Sequence, residues 1–108
     1  MEKLTLEYTT DHELYLSYMP FLKQGGLFVR TTKEFDIGTE FLLEVTLPDA
    51  LESSTVVGKV CWLTPRGANN GTPAGIGISF IEDKDNLRNQ IEKALGRLLN
   101  SSEATLTM

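Results

Sequence analysis

The spacing of the apolar residues changes once along this chain, and that change limits what it can fold into. Up to Phe80, hydrophobic side chains recur in short runs at every second position; from Leu87 onward they recur three or four apart. The clearest run is 41–47, where Phe41, Leu43, Val45 and Leu47 share one face and Leu42 is the lone aliphatic among Glu44 and Thr46 opposite. Residues 4–8 alternate as well. If 13–19 is extended, Leu14, Leu16 and Tyr18 line one face and Tyr15, Ser17 and Met19 the other; Pro20 then interrupts, and Gly25 and Gly26 form a turn. Residues 27–31 read as a further strand. Residues 55–63 are apolar on both faces, with Val56, Val60 and Trp62 on one side and Val57, Cys61 and Leu63 on the other, which predicts a central strand. Gly, Asn and Pro make 65–73 a loop, and Ile76, Ile78 and Phe80 face inward on a last strand. Leu87, Ile91, Ala94, Leu95 and Leu98 then trace a helical stripe that Asp83 or Asp85 can cap. Five or six strands in succession followed by one helix predict an all-β domain, an antiparallel sheet or barrel with a C-terminal helix.

The 108 residues suffice for one domain, expected over 1–100, with 101–108 a short polar, flexible tail. A net charge of -5 argues against nucleic acid and anionic membrane as partners. No run approaches the roughly 20 apolar residues of a membrane span, and none of signal-peptide length opens the chain. Cys61 is the only cysteine, so no internal disulfide forms, which fits a reducing cytoplasm.

Convergent chemistry is hard to assemble from these residues. His12, the only histidine, lies in a polar segment between Asp11 and Glu13 and reads as a solvated surface group. Cys61 sits in an apolar strand, where a thiol behaves as a small hydrophobe. Zinc sites draw on several Cys and His. Asp83 and Asp85 lack the spacing of a calcium loop, and Gly75-x-Gly77 continues into a strand instead of a phosphate-binding helix. No catalytic, cofactor-binding or metal site is expected, and the chain is not expected to be an enzyme.

The order Phe21-Leu22-Lys23-Gln24-Gly25-Gly26-Leu27-Phe28-Val29, then Gly38, Gly58-Lys59-Val60-Cys61-Trp62 and Gly75-Ile76-Gly77-Ile78-Ser79-Phe80 resembles a PilZ domain over nearly the whole chain. Tyr18-Met19-Pro20-Phe21-Leu22-Lys23, Thr64-Pro65-Arg66-Gly67-Ala68 and the closing Thr107-Met108 are similar to the members of that family that serve type IV pilus assembly. The resemblance implies a six-stranded antiparallel barrel with a C-terminal helix. It implies a role in pilus biogenesis and twitching motility, with a hexameric assembly ATPase and a FimX-like EAL-domain cyclic di-GMP receptor as partners. Most members bind cyclic di-GMP through an Arg-x-x-x-Arg segment and an Asp/Asn-x-Ser-x-x-Gly segment, because guanidinium forks grip phosphates and guanine edges. Here no Arg precedes Arg30, and alignment on Gly26 puts Phe21 and Lys23 where the Asp/Asn and Ser belong. Direct cyclic di-GMP binding is therefore not expected; the chain is expected to act as a monomeric adaptor.

Partner contact is expected among Tyr15, Tyr18, Met19, Phe21, Leu22, Phe28, Trp62, Leu106 and Met108, since aromatic and Met side chains suit interfaces. The cluster of Glu2, Glu7, Asp11 and Glu13 could meet a basic patch elsewhere. The competing reading is a nucleotide sensor with a non-standard site recruiting Arg30, Lys33, Lys59 or Arg66; a degenerate enzyme-like barrel ranks third.

Overall fold

A computed structural model describes residues 1–64 and 74–99, with five strands and two helices among them. In chain order these are β1 (Glu2–Glu7), α1 (Asp11–Ser17), β2 (Gly26–Arg30), β3 (Glu40–Thr46), β4 (Ser54–Thr64), β5 (Gly75–Glu82) and α2 (Leu87–Leu99).

The segment read as a strand over 13–19 is the helix α1. Its start is a capping arrangement: Thr10 Oγ1 accepts the Glu13 N–H at 3.1 Å, and Glu13 Oε1 accepts the Thr9 N–H at 3.1 Å. Asp11 and Glu13 put negative charge in the first turn, where the helix dipole favours it. Leu14 and Tyr15 are buried on one side and Tyr18, the C-cap, continues that stripe. Pro20 forbids helix at Met19, so the chain leaves extended at Tyr18.

One sheet runs in the order β1-β3-β4-β5-β2. Three of its pairings are antiparallel, but β1 runs parallel to β3, with Leu4 beside Leu43 and Leu6 beside Val45. The expected six-stranded antiparallel barrel is thus a curled, open sheet of five strands among the described residues. Its edges, β1 and β2, do not pair with each other. They come close enough that Leu6 to Tyr8 and Phe28 to Arg30 line one cleft of about 620 Å³, with α1 across it. Part of the outer edge of β2 is covered by a single bridge from Tyr18 to Leu27, in which the Met19 N–H donates to Gly26 O at 2.9 Å.

The concave face holds the core. Phe41, Leu43 and Val45 from β3, Val56 and Val60 from β4, Ile76, Ile78 and Phe80 from β5 and Leu27 from β2 pack against Leu14, Tyr15 and Tyr18 and against Leu87, Ile91 and Leu95 of α2. Leu98 is half-buried beside them, whereas Ala94 faces outward. Of the two aspartates at the start of α2, Asp83 caps it, accepting the N–H groups of Leu87 and Arg88 at 2.6 and 2.9 Å. Asp85 accepts the Thr55 N–H of β4 at 2.8 Å and so ties the helix start to the sheet.

The centrality of β4 is as the sequence implies, but its last turn of alternation is not. Val60 faces Ile78 and Trp62 faces Gly77, so Cys61 is an extra residue on β4 with no counterpart on β5. This bulge transfers Trp62 to the convex face, away from Val56 and Val60, and leaves Cys61 exposed instead of buried among apolar neighbours.

Candidate functional site

A sheet this small needs only its concave face covered, yet the convex face of β2, β5 and β4 carries its own apolar cluster. Phe28 and Gly77 are paired, and Trp62 lies on the other side of Gly77. A Cβ at Gly77 would lie 2.8 Å from Trp62 Cβ and 3.0 Å from Met19 Cε, so the missing side chain is what lets these two groups meet over the backbone. The Phe28 ring lies over Gly75, 2.7 Å from where its Cβ would be, and Leu22 Cδ1 lies the same distance from that of Gly26. Met19 and Phe28 are fully buried although they stand outside the main core.

The chain from Met19 to Gly25 lies over this cluster. The Leu22 N–H reaches Met19 O at 3.4 Å and the Gly25 N–H reaches Leu22 O at 3.0 Å, closing two successive turns. Gly25 has φ of 78°, left-handed backbone that a side chain would strain. Phe21 projects from the first turn and is 51% exposed; Trp62 is 42% exposed, its indole N–H donating to Thr64 Oγ1 at 2.9 Å. Leu22 is half-buried; Leu63 is exposed too, but it pairs with Ile76 and stands on the other face of β4 from Trp62.

Helix α2 holds these turns in place. Arg88 Nη1 donates to Lys23 O at 2.8 Å and Arg88 Nε to Glu92 Oε2 at 3.3 Å, while Tyr18 donates its O–H to the same carboxylate oxygen at 2.6 Å. Burial, and then donation to a carboxylate, hold the Tyr18 phenol protonated far above the usual tyrosine range. Accepting that hydrogen bond, with Arg88 alongside, holds Glu92 below the usual carboxylate range.

The residues expected to meet a partner thus divide. Phe21 and Trp62 are exposed and flank the cluster; Met19, Leu22 and Phe28 build it. Tyr15 and Tyr18 are core residues on the other side of the sheet, drawn inward because 11–17 is helical and not extended. Leu106 and Met108 lie outside the described residues, as do Arg66 and the expected tail 101–108. The bulge also moves Leu63 off the face of Val57, where alternation puts it, to the side of Ile76, so it does not join the convex cluster.

The cleft between β1 and β2 is a separate feature of the surface. Tyr8, His12, Glu13, Ser17 and Arg30 line it. Burial pushes the Tyr8 phenol up to about 12, the nearby Glu13 charge adds to this, and a hydrogen bond with Ser17 opposes it. Among the described residues no three His, Cys, Asp or Glu side chains converge as a metal would need, and no described helix is long and apolar enough to cross a membrane.

Compared with known families, residues 2–97 match the model of the PilZ domain. No curated protein matches the chain.

Proposed function

This chain belongs to the PilZ domain family, whose members are binding and adaptor domains in cyclic di-GMP-related roles and not enzymes, and from that premise we propose that it is an adaptor that docks a protein partner on the convex face of β2, β5 and β4. The observation that carries the reading is the apolar cluster itself. Leu22 fills the space over Gly26, and Phe21 and Lys23 occupy the positions where nucleotide-binding members place Asp/Asn and Ser. A dianionic dinucleotide would meet an aliphatic side chain there and lack the paired guanidinium forks that grip it. Two large exposed rings beside buried neighbours are the composition of an interface centre.

The pilus-assembly members that the sequence resembles point to the partners: a hexameric assembly ATPase and a FimX-like EAL-domain receptor that reads cyclic di-GMP on the adaptor's behalf, in the cytoplasm. Phe21→Asp puts a charge on the exposed part of the patch without touching the core. Titration calorimetry with each purified partner should show at least a roughly thirtyfold loss of affinity, the size of a hot-spot truncation, with an unchanged circular dichroism spectrum. Unaltered partner binding by the variant, or micromolar cyclic di-GMP binding by the isolated chain, would overturn the proposal.

A further inference from the structure

The formal charge of the chain is -5, yet three cations border the convex apolar cluster. Lys59, Ser79 and Gly26 form one row across β4, β5 and β2, and Leu22 lies over Gly26, so Lys59 stands at that end of the cluster. Arg30 follows Phe28 on the same face of β2, opposite Gly75, and closes the other end. Lys23 leaves the turn next to Leu22 and Phe21. All three are exposed. The ion pairs among the described residues, Lys3 with Glu44 and Arg88 with Glu92, use none of them. Glu40 faces Lys59 from β3, on the side away from the cluster. Two acidic residues, Glu7 and Glu13, lie instead at the cleft between β1 and β2, which Arg30 lines as well.

We infer that the surface selects an acidic protein segment: an apolar face seated on Phe21, Leu22 and Trp62, which the buried Met19 and Phe28 support from beneath, flanked by carboxylates that meet Lys23, Arg30 and Lys59. This rests on the docking role proposed above and adds the partner's charge. A basic segment of the same shape would bring like charges together at the rim, which sets specificity and association rate more than raw affinity.

Trp62 is the only tryptophan and stands in the patch, so its emission reports occupancy directly. Two synthetic amphipathic helical peptides with the same Leu/Phe face, one with Glu and one with Lys on the polar face, are titrated into the full chain, with phosphatidylglycerol vesicles as a third arm. The acidic peptide should shift Trp62 emission to the blue and bind roughly tenfold more tightly than the basic one at low salt, a preference that shrinks as salt screens the rim. Replacing Lys23, Arg30 and Lys59 together by Glu should invert the preference. Equal binding of both peptides that Phe21→Asp abolishes overturns the acidic-partner inference and leaves the docking surface standing. Absence of any Phe21-dependent shift overturns both, and a shift with vesicles alone overturns it in favour of a lipid surface.

Discussion

Tyr18 and Tyr8 are phenols held in their neutral form, and they tie stability to alkaline pH. Their folded pKa values lie above the ordinary value of 10.0, so their contribution is complete below about pH 10 and is lost as the unfolded chain ionises while the native one does not. Each should lower stability by about 1.4 kcal/mol per pH unit above that point. Denaturant titrations at rising pH should show this slope, and Tyr18→Phe should remove about half of it. At neutral pH the same variant should cost about 1 kcal/mol, the net worth of one hydrogen bond. Gly77 is the other decisive single residue. Gly77→Val has no room between Trp62 Cβ and Met19 Cε, so it should destabilise the fold by roughly 1–3 kcal/mol and move Trp62 emission; a variant with wild-type emission would mean that the two side chains do not meet there. Neither feature was legible in the sequence. Gly75-x-Gly77 reads as glycines that let backbones approach closely, without naming the side chains that meet there, and Trp62 stays open between partner contact and core packing, because alternation puts it beside Val56 and Val60 and carries no sign of an extra residue such as Cys61.

The strands β3, β4 and β5 and the helix α2 follow from periodicity, since each buries one face and the two spacings, two and three-to-four, are read directly. Helix α1 was missed because Leu14, Leu16 and Tyr18 also fit an extended face. The discriminating signal was Thr10-x-x-Glu13, a capping pattern that satisfies the free N–H groups of a helix start. Thr10→Ala should cost about 1 kcal/mol and lower the midpoint of thermal melting by about 4–8 °C; an unchanged melt would show that tertiary packing alone holds α1. The parallel pairing of β1 with β3 had no local signature at all, because it depends on where β3 returns after α1 and β2. For the candidate site, apolar residues at a Pro-marked turn identified Phe21 and Leu22, but the role of α2 was hidden in long-range contact. Arg88→Ala removes its bond to Lys23 O. It should cost under ~1 kcal/mol of stability while hydrogen exchange at the Gly25 and Gly26 amides accelerates; protection equal to wild type would show that the turns hold without α2.

At the scale of the described residues together, the concave face is committed to the core, while Lys23, Arg30 and Lys59 border the convex cluster and Glu7 and Glu13 lie at the β1–β2 cleft. Raising the salt concentration should therefore weaken association through the convex patch while leaving the melting temperature nearly constant, because the core contains no buried charged group among the described residues. The sheet order also sets a timetable for synthesis on the ribosome. Among the described residues, the strand β1 has β3 as its only neighbour, and β2 has only β5 apart from the Tyr18 bridge. Leu4 must wait for Leu43 to emerge, and Leu27 for Ile78. A nascent chain halted after Thr64 still exposes most of the edge of β2 with no sheet partner available, so it should show no cooperative unfolding and should attract chaperones. Both outer strands are translated before the centre that will hold them, and the domain can be completed only once nearly all of it has left the exit tunnel.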